Sequence, residues 1–106
     1  MKIMLSGLLA LLLAPAALAD ELIIFSLPGC RPCAALEQLL EENPELTQGF
    51  VVSKVDIGEQ PETAEVFNVS STPTIVRLDD KTREISRKVG LMTRREMRRW
   101  LDDSSK

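Results

Sequence analysis

The chain has no histidine and only two cysteines in 106 residues. A zinc site calls for about four ligands, which this composition cannot assemble from histidine and thiolate, so a zinc role is set aside. There is no internal repeat and no low-complexity linker, which leaves a single small domain with one core. No apolar run reaches the roughly twenty residues that a bilayer span needs. The formal net charge of −3 gives no reason to expect a nucleic-acid partner. Charge is nonetheless uneven: Asp20 to Glu65 holds two basic and ten acidic residues, Val66 to Lys106 ten basic and six acidic. Such a bias is ordinary solvated surface that can also select the partner that docks.

The first nineteen residues combine Lys2, an apolar run from Leu8 to Leu13, a breaker at Pro15 and small residues at Ala17 and Ala19. This is the layout of a signal peptide cleaved before Asp20, leaving residues 20–106 as the mature domain, exported to the periplasm or secreted. No cysteine follows the run, so neither a lipid anchor nor any other stable membrane anchor is expected after cleavage.

Both cysteines fall in Phe25-Ser26-Leu27-Pro28-Gly29-Cys30-Arg31-Pro32-Cys33, where an apolar run ends and a helical pattern begins. Two thiols separated by two residues can close a small ring, and Pro32 pre-sets the angle of a first helical turn. At a helix N-terminus, unpaired N–H groups and the helix dipole favour a thiolate at Cys30, with Cys33 one turn on to resolve a mixed disulfide. Arg31 adds a fixed positive charge beside it. Three other readings compete. Zinc lacks ligands; Cu(I) suits two thiolates, but Pro32 stiffens the loop that would wrap it; a structural staple would normally close a longer loop than this one. Redox chemistry, without metal or organic cofactor, is favoured, and a binding module with a permanently closed disulfide is the alternative.

Glu21 to Ser26 reads as a strand buried on both faces. Cys33, Leu36, Leu39 and Leu40 then recur at helical spacing until Asn43, where Pro44 enforces a stop. Phe50 to Asp56 is a second strand, and Pro61 opens a short helix with Val66 and Phe67 on its apolar side and Asn68 as a left-handed cap. Thr74 to Leu78 and Arg83 to Val89 form a hairpin whose second strand is a polar edge. Thr93-Arg94-Arg95-Glu96 is a capping box with Met92 and Met97 as its staple; Met97, Trp100 and Leu101 face the core, and Asp102 to Lys106 reads as a frayed tail.

The order strand, redox helix, strand, helix, hairpin, helix resembles the minimal thioredoxin fold, an α/β arrangement βαβαββα with a four-stranded mixed sheet flanked by helices. Three motifs carry the resemblance to the thioredoxin superfamily: Cys30-Arg31-Pro32-Cys33, Ser71-Thr72-Pro73-Thr74 and Lys88-Val89-Gly90. It implies a cis peptide before Pro73 beside the cysteines, a Thr72 backbone that pairs with an extended substrate, and a Gly90 that lets that substrate approach. It implies protein disulfides or dithiols as partners of a monomeric enzyme. Lys54 matches a family lysine near the site and is a candidate for proton transfer. The departures are Gly29 and Arg31 where thioredoxins proper carry tryptophan and glycine, and Ile24 where they bury an acid. The Pro-Gly-Cys entry is closer to glutaredoxins, and no glutathione-binding set is identified.

Overall fold

The computed structural model describes residues 19–103. The proposed signal segment, apart from Ala19, therefore lies outside the described residues. In chain order the elements are β1 (Glu21–Ser26), α1 (Arg31–Glu42), a 3-10 turn (Pro44–Thr47), β2 (Val51–Asp56), α2 (Pro61–Val66), β3 (Thr74–Leu78), β4 (Glu84–Val89) and α3 (Arg94–Asp103). The sheet runs β2-β1-β3-β4. β1 and β2 are parallel, as the helical crossover requires, and β3 is antiparallel to both β1 and β4.

Leu22, Ile23, Ile24 and Phe25 are all buried because β1 is a central strand covered on both sides. Alternation sends Leu22 and Ile24 to one face and Ile23 and Phe25 to the other. The first face packs with Leu36 of α1, Leu46 of the 3-10 turn and Met97, Trp100 and Leu101 of α3. The second packs with Val55, Val76 and Leu78, backed by Ile57, Phe67 and Val69. Full burial of Phe25 or Leu22 is worth about 1.5 to 3 kcal/mol each.

Capping follows the local chemistry. The Thr93 hydroxyl accepts from the Glu96 N–H at 3.1 Å while the Glu96 carboxylate accepts from the Thr93 N–H at 2.9 Å, closing the expected box. Asn68 has φ +55° where α2 hands over to the next loop. Three expectations are corrected. Asp102 and Asp103 are the last residues of α3, not a tail, since the Leu101 carbonyl is anchored by buried Arg77 at 2.8 Å. Val66 is 80% exposed; the buried residue of α2 is Ala64. Phe50 and Arg83 fall just outside β2 and β4.

Candidate redox site

β1 delivers the chain to the loop 27–29, where Gly29 takes φ +81°, a region that disfavours any residue with a Cβ. Cys30 then caps α1 in an extended conformation, φ −83° and ψ 109°. Pro32 occupies the first turn of α1, where a missing N–H costs nothing. The helix begins with the Ala34 N–H donating to the Cys30 carbonyl at 3.1 Å. Cys30 and Cys33 are joined by a disulfide with 5.2 Å between their Cα atoms.

The two sulfurs are not equivalent. Cys33 is 8% exposed, whereas Cys30 is only half-buried. The Cys33 N–H donates to Cys30 Sγ at 3.2 Å, so a donor that helix geometry leaves unpaired points at the outer sulfur. A second donor, the Thr72 hydroxyl, lies 3.5 Å from the same sulfur, and the Thr72 carbonyl lies 3.8 Å from it.

Pairing of β1 with β3 explains this convergence. Phe25 sits opposite Thr74, so the residues just before β3 meet the residues just after β1. The Thr72–Pro73 peptide is cis, the form that the resemblance implies, and Pro73 is fully buried. The Thr74 hydroxyl donates to the Ser71 carbonyl at 2.7 Å and holds the loop. Gly90 completes the rim: its N–H donates to the Pro73 carbonyl at 2.8 Å. Its φ is +95° and a Cβ there would meet nothing within 4 Å, so the space above it is open.

Cys30, Cys33, Thr72, Pro73 and Gly90 are thus brought together. Lys54 stands in register with Ile24, and its ammonium pairs with the Glu37 carboxylate at 2.8 Å, both side chains more than half exposed. That hydrogen bond holds the Glu37 carboxyl below its ordinary range. Both residues line a cleft of about 510 Å³ that also reaches Cys30 and Cys33. Arg31 is exposed at the start of α1 and has no ion-pair partner among the described residues. Glu37 escaped the sequence reading, although its position one turn beyond Cys33 on the redox helix was the available signal.

Residues 13–105 match the family described as the thioredoxin-like domain. The thioredoxin of Buchnera aphidicola is 33% identical over 84 residues, covering 78% of this chain and 77% of its own length. The thioredoxin of Chlamydia trachomatis is 39% identical over 70 residues, covering 66% and 68%. Among solved structures, a point-mutant thioredoxin from Halobacterium salinarum superposes with a TM-score of 0.71 at 25% identity, covering 82% of this chain and 75% of its own.

Proposed function

Starting from a chain that belongs to the thioredoxin-like family, for which thioredoxin homologues imply thiol-disulfide exchange, we propose that it is an exported oxidoreductase acting on protein disulfides or dithiols through Cys30 and Cys33. The observation that carries this reading is the pair of donors on one sulfur: the Cys33 N–H at 3.2 Å and the Thr72 hydroxyl at 3.5 Å. Both stabilise negative charge on Cys30 once the disulfide is reduced, and neither requires a rearrangement of the chain.

In the reducing direction the Cys30 thiolate attacks a substrate disulfide. A Cys30–substrate bond forms, the substrate S–S bond breaks, and the released thiolate takes a proton from solvent. Cys33 then loses its proton and attacks Cys30 Sγ, forming the Cys30–Cys33 disulfide and expelling the second substrate thiolate. Two electrons pass from the enzyme to the substrate, and the reverse sequence oxidises a dithiol. The extended substrate lies against the Thr72 backbone and over Gly90. Lys54, in the cleft that Cys33 lines, is assigned to proton exchange at Cys33. Arg31, exposed and without an ion-pair partner among the described residues, adds only a screened charge to the thiolate environment.

Export rests on the Lys2, Leu8–Leu13, Pro15 and Ala17/Ala19 pattern, which supports cleavage before Asp20 and a periplasmic or secreted mature domain. The deciding experiment equilibrates the purified chain in glutathione or dithiothreitol redox buffers. A potential near about −270 mV marks a reductant and one near about −120 to −180 mV an oxidant or isomerase. A potential below about −300 mV with a Cys30 inert to alkylation overturns the enzyme reading in favour of a structural disulfide. In parallel, Cys33→Ser should accumulate a Cys30-linked mixed disulfide with substrate, and Cys30→Ser should be inactive.

A further inference from the structure

β2 is an edge strand with nothing beyond it among the described residues. Its ladder parity is fixed at both ends: the Val51 N–H donates to the Asp20 carbonyl and the Ile57 N–H to the Ser26 carbonyl, each at 3.0 Å. Alternation therefore turns the N–H groups of Val52, Lys54 and Asp56, and the carbonyls of Val52 and Lys54, away from β1. Val51 and Val52 are 54% and 39% exposed on this edge, which has no proline and a single lysine to discourage pairing.

The same three residues line the 510 Å³ cleft between β2 and α1, which ends at the disulfide. Its apolar wall is Ile24, Leu36, Leu40 and Val52. Its charges are Glu37, Glu41 and Asp56 against Lys54 alone, and Lys54 is already paired with Glu37. The cleft is thus apolar with an acidic excess, bordered by unpaired strand groups, and continuous with the redox site.

We infer that this edge and cleft bind an extended, basic segment of the protein partner by strand addition, as an anchor beside the exchanging disulfide. A segment paired with Val52 and Lys54 places every second side chain over the cleft, where apolar residues meet Val52 and Leu40 and lysine or arginine meets Glu41 and Asp56. The inference rests on the oxidoreductase reading for the identity of the partner, but its test does not use redox chemistry.

The probe is a cysteine-free peptide repeating Val-Thr-Lys-Thr, which presents valine and lysine in turn on one face of a strand, compared with one repeating Val-Thr-Glu-Thr, titrated into the oxidised chain with amide resonances and hydrogen exchange followed by NMR. The lysine peptide should shift the Val52 and Lys54 amides and slow their exchange, and the glutamate peptide should bind about tenfold more weakly. Val52→Pro, which removes an outward N–H and no β1–β2 bond, should weaken the lysine peptide about tenfold. Glu41→Lys, on the exposed surface of α1, should weaken it about threefold and narrow the difference between the peptides. Shifts confined to Thr72, Gly90 and Leu91, or equal binding of the two peptides, would overturn the inference. So would edge-amide protection that grows with protein concentration without peptide, which would make a second copy the occupant. Reaction of the reduced wild-type Cys30 with a small disulfide, measured separately, tests the redox reading alone.

Discussion

Arg77 and Asp20 form a two-point ion pair, Nε at 2.9 Å and Nη2 at 2.7 Å from the same carboxylate oxygen, with Arg77 only 4% exposed. The guanidinium also donates through Nη1 to the Leu101 carbonyl at 2.8 Å and lies 4.9 Å over the Phe50 ring. One buried cation near the end of β3 thus ties together the residue before β1, the last turn of α3 and the approach to β2. Asp20→Ala leaves that cation buried without its counter-charge and should cost about 3 to 5 kcal/mol. Arg77→Met leaves instead a carboxylate that is a quarter exposed and an unpaired carbonyl, and should cost about 1 to 3 kcal/mol. Urea unfolding of both variants tests the asymmetry; equal losses would mean that the cation is not the costly partner to strand.

This pair also marks where sequence reading stopped. Thr-Ile-Val-Arg-Leu reads as a strand whichever way Arg77 is satisfied, and its partner is 57 positions away. A contact of that range is set by strand order, which periodicity does not encode. The 3-10 turn with buried Leu46 was hidden for a related reason: four residues show no period, and only Pro44 signals that α1 must end. By contrast, β1, the redox turn and the capping box were legible because each is decided by chemistry within a few residues. Thr72 and Gly90 were legible only through resemblance, and the cleft with Glu37 emerges only when α1 is laid against β2.

Thr72 offers a direct test of the donor pair. Thr72→Val keeps the shape and removes the hydroxyl that stands 3.5 Å from Cys30 Sγ, leaving the Cys33 N–H alone. The thiolate should lose part of its stabilisation, and iodoacetamide alkylation of reduced Cys30 at pH 7 should slow by roughly three- to tenfold, with the alkylation midpoint moving upward in pH. An unchanged profile would assign the tuning to the helix N-terminus alone.

Gly90 separates conformational from steric cost. A Cβ at this position meets nothing in the folded chain, yet φ is +95°. Gly90→Ala should therefore destabilise by about 1 to 2 kcal/mol through backbone conformation. On the proposed reading, in which the substrate chain lies over Gly90, it should also lower kcat/KM for protein substrates more than for a small disulfide. Gly90→Asn, better tolerated at positive φ, should recover stability without recovering the protein substrate. Recovery of both would show that the open space plays no part in binding.

Acid should weaken the fold through paired surface carboxylates. Hydrogen bonds from Arg87 to Glu84, from Arg94 to Glu45 and from the Arg83 and Thr93 N–H groups to Asp79 and Glu96 hold these acids below their ordinary range. A carboxyl lowered in the folded chain binds its proton more readily when unfolded, so its contribution is present above the unfolded value and is lost as pH falls through the folded one. The chain has no histidine, the side chain whose ordinary range lies between about pH 5 and 8, and in the oxidised protein both cysteines are held in the disulfide. Urea midpoints should stay flat from about pH 7 to 5 and fall below about pH 4, less steeply in high salt, where exposed pairs are screened. Glu96→Gln retains a neutral acceptor for the Thr93 N–H but removes one lowered group, so it should lower the neutral midpoint slightly, leave the midpoint at the acid end nearly unchanged, and thereby flatten the acid limb. A limb of undiminished slope in Glu96→Gln would place the acid sensitivity in the remaining pairs, first Glu84–Arg87, in which both side chains are only about a third exposed.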